Sequence, residues 1–390
     1  MSRCRVGLDV FLSEELGRFG GARVGLIANP ASVDGELAHA AERFAAASAV
    51  KLAALFGPQH GAKAEAQDNM IETADEWDGR LGVPVFSLYG ERRQPDAASL
   101  AGLDVMVCDL PDVGARPYTF VWTMLLAMEA CGRAGLPFVV LDRPNPIGGV
   151  EVEGPVLREG FESFIGMHAL PMRHGLTMGE LARLLRAERG IDVELTVVRC
   201  EGWRRAMWFD ETGLPWVMAS PNLPTLETAA VYPGSVLVEG TNLSEGRGTT
   251  RPFELLGAPY LDAGEFAGRL NGCDVPGARF RPVWFRPTVD KWAGELCGGV
   301  QVHVLDRERF KPCWVGAAVL AAAHELGGER FAWREPPFEY VHDRMPIDIL
   351  SGSERLRGQV EVGMKAGAME ESWWAEVEEF VERRGEWMMY

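Results

Sequence analysis

Val105-Met106-Val107-Cys108-Asp109-Leu110, followed at once by Pro111-Asp112-Val113-Gly114-Ala115-Arg116-Pro117-Tyr118, decides the fold. The first six residues are almost wholly apolar, too few for a buried helix, and end at a proline, which predicts a buried strand. A helical pattern then runs from about Tyr118 to Arg133, with Gly135 placed to stop it. Outward from here the same order recurs. Val24 to Ala28 reads as a strand ahead of a helix from about Gly35 to Ala47. Leu52 to Phe56 and Val83 to Tyr89 read as further strands, and Phe138 to Asp142 closes the series. Strands alternating with helices predict a parallel sheet covered on both faces, a doubly wound α/β architecture.

At 390 residues the chain exceeds one ordinary core, so two domains are expected. With 47% hydrophobic and 24% charged residues, 45 Gly and 24 Pro, it is globular and rich in loops. A net charge of -17 argues against nucleic acid or an anionic membrane as partner. Met1 to Val10 has no basic region followed by an apolar run, and no stretch of ~18 apolar residues follows, so a cytoplasmic protein is expected. Seven cysteines are scattered without C-x-x-C spacing and read as buried thiols rather than disulfides or zinc ligands. H-E-x-x-H, the P-loop and a strand-following G-x-G-x-x-G are absent, so no metal or nucleotide cofactor is expected.

In open sheets of this class ligands bind beyond the carboxyl ends of the strands. After the first strand comes Asn29-Pro30, after the second Gly57-Pro58-Gln59-His60-Gly61, and after the fourth the segment 111–118 with Asp112, Arg116 and Tyr118. After the fifth, beginning at Asp142, come Arg143-Pro144-Asn145-Pro146. Turns need the Pro, Gly and Asn. They do not need Gln59, His60, Arg116, Tyr118 or Arg143, which mark a binding site. Arg173 and His174 precede a helix whose Thr177 and Glu180 have capping-box spacing. Ser220 to Thr225, with Asn222, is too proline-rich for regular structure, which puts a domain boundary near residue 228: an α/β unit over 1–228 and a smaller α+β unit over 229–390. The second opens with Glu239-Gly-Thr-Asn-Leu-Ser-Glu-Gly-Arg-Gly-Thr-Thr250. This stretch has no helical or strand period, and its density of carboxylates, arginines, amide and hydroxyls suits a polyhydroxylated or anionic ligand. Beyond it, Gly298 to Leu305 reads as a strand and Trp314 to Leu326 as a helix. Lys291 lies ahead of that strand within reach of the cleft. Trp373, Val377 and Val381 form one stripe of a C-terminal helix.

Taken together, GPQHG (57–61), DVGARPYT (112–119), LDRPNPIGG (141–149), EGP (153–155), RHGLTMGEL (173–181), SPNLPT (220–225), YPG (232–234) and EGTNLSEGRGTTRPFELLGAP (239–259) resemble the exo-acting β-N-acetylmuramidases, peptidoglycan-degrading and recycling enzymes of glycoside hydrolase family 171. The resemblance spans nearly the whole chain in order. It implies a Rossmann-like N-terminal domain, a smaller C-terminal domain and an active site in the cleft between them. The implied reaction releases terminal N-acetylmuramic acid from peptidoglycan fragments, with a small carbohydrate as substrate and no cofactor. In one respect the chain departs from the family: the second-strand loop there commonly reads Pro-Glu-His-Gly, with the glutamate as favoured catalytic carboxylate, and this chain has Gln59.

An amide neither donates a proton near neutral pH nor attacks as a nucleophile. Glycoside hydrolysis ordinarily uses two carboxyl groups, but a 2-acetamido sugar can replace one with its own carbonyl oxygen. The expected catalytic set is therefore Glu245 or Glu239 as acid, Gln59 holding the acetamide, and His60 or Tyr118 assisting. Substrate contacts are expected from Asn29, Asp112, Arg116, Asp142, Arg143, Asn145, Arg173, His174, Asn222, Thr225, Asn242, Arg247 and Lys291. Among these, Arg116, Arg143, Arg173 and Arg247 are the guanidinium candidates for a lactyl carboxylate. The alternative is a carbohydrate-binding relative that has lost its chemistry with the change at position 59.

Overall fold

The computed structural model describes residues 3–66 and 70–390. Its main sheet contains β1 (Arg23–Ala28), β2 (Lys51–Gly57), β3 (Glu76–Asp78), β4 (Val83–Ser87), β5 (Val105–Asp109) and β6 (Phe138–Leu141). A separate ribbon of β7 (Glu153–Val156) and β8 (Pro171–Arg173) precedes its last strand, β9 (Leu195–Val198). The spatial order is β3-β4-β2-β1-β5-β6-β9, and all neighbours are parallel except the β3–β4 edge. From β1 the chain winds outward to β2 and β4, then crosses back to β5 and winds the other way. The order reverses between β1 and β5, as a doubly wound sheet requires.

Side chains alternate across this sheet. Val105 and Val107 join one apolar cluster with Leu26 and Phe44, while Met106 and Cys108 join the other with Ile27 and Phe56. That second cluster does not stop at the sheet. It passes through the helix Phe120–Ala134 and on to the helix Pro312–Gly327, so the two halves of the chain share one core. The second half is built on an antiparallel sheet of β10 (Leu255–Ala258), β11 (Ala278–Phe285) and β12 (Cys297–Val304), in the order β10-β12-β11. The helix Leu226–Ser235 crosses the helix Pro312–Gly327 at Gly234 and Gly316, where backbones nearly touch. Residue 228, the expected boundary, falls inside the first of these helices.

Several elements differ from expectation. The helix after β1 spans only Ala40–Ala46, because Asp34 accepts from the backbone of Glu36 and Ala38 and holds 34–38 as a turn. The helix after β5 begins at Phe120 and ends at Gly135, whose φ of 64° is the left-handed cap expected of it. On the C-terminal helix Trp374–Arg384, Phe380 is buried and Val381 is exposed, so the packed stripe is Trp373, Val377 and Phe380. Strand β11 was not anticipated. Its Arg-rich, Pro282-containing sequence fits an edge strand, which is where it lies.

Candidate active site

A hollow of about 460 Å³ opens beyond the carboxyl ends of β2 and β5. Its first wall is the 58–61 loop. A Cβ at Gly57 would meet the backbone of Ala62 at 2.7 Å, so only glycine lets the chain fold back there. His60, at φ 71°, and Gly61, at φ 82°, complete the reversal. A histidine in the left-handed region is strained, and such strain is concentrated at functional sites. Gln59 Oε1 accepts from Thr119 Oγ1 at 2.7 Å, and His60 Nδ1 sits 2.7 Å from the Ala66 carbonyl oxygen. Pro117, Tyr118 and Thr119 continue the wall from the β5 loop. The Tyr118 ring packs on Phe120 at 4.6 Å and edge-on to Tyr232 at 6.3 Å, and burial raises its phenol pKa.

The opposite wall comes from the second half. A single turn at Val236–Gly240 carries Glu239, and the 239–250 segment then folds over itself instead of following the surface. Arg247 donates from Nη2 to Glu239 Oε1 at 2.8 Å, with Nε 3.2 Å from Glu245. Lys291 Nζ lies 2.7 Å from the other Glu245 oxygen and donates to the carbonyls of Val238, Thr241 and Leu243. Half-buried Lys291 and buried Glu245, Arg247 and Glu239 therefore form a row of alternating charge, and of these Arg247 and Glu239 reach the hollow. Burial alone would raise the Glu245 carboxyl pKa, but Lys291 and Arg247 overcome it and hold the group below the ordinary range. Glu245 was expected, with Glu239, as a candidate acid, and its surroundings do not favour that role. It stands behind Arg247, and a carboxylate held charged by two cations has no proton to give.

A second carboxyl on this wall escaped the sequence reading. Glu339 lines the hollow beside Phe338, is 4% exposed and accepts from the Tyr89 hydroxyl at 3.1 Å. Burial first, and the nearby Glu239 second, push its pKa up to about 7, against the pull of Tyr89, Arg93 and Arg247. The stretch Pro336-Pro337-Phe338-Glu339-Tyr340 shares only its proline stiffening with those that mark the sites after the N-terminal strands.

The structure brings Gln59, His60, Tyr118, Glu239 and Arg247 to one hollow, with Asn222 buried between Ser220 and Leu223, which also line it. Other expected contacts are engaged elsewhere. Arg116 is fully buried and donates to the carbonyls of Pro155, Leu170 and Leu350. Asn29 bonds Ala219 and Ala31, Asn145 bonds Leu176 and Ile147, and Asn242 bonds Arg330, Ala332 and Tyr260. Asp142 accepts from Gly179, Thr177 and Tyr390, so it seats a helix start, and burial raises its pKa to about 6. Thr225 caps the helix Leu226–Ser235 through Thr228. Arg173 donates to the Ile147 carbonyl, and His174 Nε2 lies 3.2 Å from Asp112. Asp112 and Arg143, the latter paired twice with Asp109, line a different hollow of about 540 Å³ beside Pro146 and Trp216. The expected residues thus do not share one hollow: part of them line the first, Asp112 and Arg143 line the second, Thr225 lines a third, and the rest bond within the protein.

No described helix is long and apolar enough to cross a membrane, and no cluster of metal-ligating side chains occurs among the described residues. Models described as the N-terminal and C-terminal parts of the exo-beta-N-acetylmuramidase NamZ match residues 24–227 and 230–390. The peptidoglycan beta-N-acetylmuramidase NamZ of Bacillus subtilis strain 168 is 41% identical over 388 residues, covering 100% of this chain and 92% of that protein. Two crystal structures of DUF1343 family proteins from Bacteroides fragilis NCTC 9343 each match 100% of this chain and 99% of their own. One has a TM-score of 0.89 and 33% identity, the other 0.79 and 26%. Matched by both models and by a relative along its whole length, the chain belongs to the NamZ family of exo-β-N-acetylmuramidases.

Proposed function

We propose that the chain is a cytoplasmic exo-β-N-acetylmuramidase that removes terminal N-acetylmuramic acid from peptidoglycan fragments, working in the hollow between a unit ending near residue 228 and the unit that follows. The observation that carries the reading is the Glu239–Arg247 pair facing Gln59, His60 and Tyr118 across one small hollow. Cytoplasmic action accords with seven free cysteines, six of them buried.

In this reading the sugar supplies its own nucleophile: the 2-acetamido carbonyl oxygen attacks the anomeric carbon, as in substrate-assisted families. Glu239 accepts the acetamide N–H, which makes that oxygen more nucleophilic. Gln59, with its Oε1 held by Thr119, offers its amide donors to sugar oxygens. Arg247 is the one guanidinium of the four candidates on the wall, and it faces the lactyl carboxylate. Tyr118, Tyr232 and Phe253 give the ring an apolar face. The test is incubation of the folded protein with a chromogenic β-N-acetylmuramide and with the muramyl-glucosamine disaccharide. Release of N-acetylmuramic acid from both is expected; release from neither ends the reading.

A further inference from the structure

Cleaving a glycoside whose leaving group is a sugar alcohol requires a proton on the departing oxygen, and the amide at position 59 cannot give one. The hollow offers two carboxyl groups, and the structure places them in different surroundings. Glu239 is tied to the Arg247 guanidinium at 2.8 Å. Glu339 has the neutral hydroxyl of Tyr89 as its partner and Phe338 as its neighbour on the wall. The charged and titratable groups around it are Tyr89 and Arg93 from the first half, His60, Tyr118 and Tyr232 in the hollow, and Glu239 with Arg247. Arg93 does not reach it as a salt bridge but lies over the rings of Tyr89 and Tyr340, at 4.4 and 4.2 Å.

The backbone is specialised at this point. Glu339 and Tyr340, neither a glycine, have φ of 44° and 65°, and Phe338 and Val341 exchange two backbone hydrogen bonds that close the turn. Strain of this kind persists where the surroundings impose it, most often at active sites. Here it sets a buried carboxyl on the hollow wall.

We propose that Glu339 is the general acid that protonates the glycosidic oxygen, a role the amide at position 59 cannot fill. The assignment rests on the muramidase reading above. In the first step the acetamide carbonyl oxygen bonds to the anomeric carbon, and the bond from that carbon to the glycosidic oxygen breaks. Its electron pair leaves with the oxygen, which takes the Glu339 proton. In the second step water adds to the anomeric carbon, the acetamide oxygen leaves it, and the water's proton returns to the Glu339 carboxylate. A carboxyl whose burial brings it to about 7 both gives and retakes a proton near neutral pH.

The test compares wild type, Glu339→Gln and Tyr89→Phe on two substrates. The disaccharide has a sugar alcohol as leaving group and needs the proton. A nitrophenyl β-N-acetylmuramide has an acidic phenol and does not. Glu339→Gln is expected to lose roughly 10³-fold in kcat on the disaccharide and under ~10-fold on the nitrophenyl glycoside, the signature of lost acid catalysis with KM little changed. The basic limb of kcat/KM near pH 7 disappears in this variant. In Tyr89→Phe that limb moves to higher pH, because the lost hydroxyl had favoured the charged carboxylate. Equal losses on both substrates, or an unmoved limb in Tyr89→Phe, overturn the assignment while an active wild type leaves the muramidase reading standing. A wild type inert on both substrates overturns the two together. Far-ultraviolet circular dichroism checks that both variants fold, and Tyr89→Phe decides alone if Glu339→Gln does not.

Discussion

A single lysine behind the wall of the hollow holds its charge pattern. Lys291 compensates Glu245, which is 1% exposed, and Glu245 in turn fixes Arg247 and so Glu239. Lys291→Met is expected to cost about 3–5 kcal/mol in folding stability at neutral pH, the usual consequence of stranding a buried charge. Chemical denaturation measures it, and a loss under ~1 kcal/mol would mean that Arg247 alone compensates both Glu245 and Glu239. The same residues show why site residues were only partly legible. Gln59, His60, Glu239 and Arg247 stood out as polar groups in irregular stretches, and they reach the hollow. Arg116 stood out for the same reason and does not. Irregular backbone buried in a protein leaves carbonyls without partners, and Arg116 satisfies three of them. Sequence marks the polar group but not whether backbone or ligand receives it.

Among the elements, the helix Leu226–Ser235 positions the turn that bears Glu239. It is held against the helix Pro312–Gly327 by a contact only glycine permits: a Cβ on Gly234 would lie 1.7 Å from the Pro312 carbonyl oxygen. Gly234→Ala is expected to lower stability by about 1–3 kcal/mol or more through overpacking. A thermal melt indistinguishable from wild type would show that these helices part without cost. The strands of the first half were legible because a parallel sheet buried on both faces needs short unbroken apolar runs. Strand β11 was not, since an edge strand with one solvated face tolerates the arginines and proline that hide it. Glu339 was missed for a related reason. Its turn sits in the second half, where no strand end pointed to it, and the pairing with Tyr89 links residues 250 apart in sequence.

At the scale of the molecule, one apolar core passes from the β1–β5–β6 sheet face into the second half, and the hollow lies where segments of both halves converge. Neither half alone supplies the set: Gln59, His60 and Tyr118 come from one, Glu239, Arg247 and Glu339 from the other. The fold class followed from local pattern, whereas the meeting of these six side chains depends on a shared core that no local pattern encodes. The molecule also has the more apolar hollow near Trp216 and Arg143, at the point where strand order reverses, which general rules for open sheets would favour for a ligand. The two hollows make opposing claims on the substrate. A crystal structure of the wild-type protein with N-acetylmuramic acid bound decides between them. The expected result is the sugar between Gln59 and the Glu239–Arg247 pair, with its anomeric oxygen toward Glu339. A sugar seated instead against Trp216 and Pro146 would contradict it.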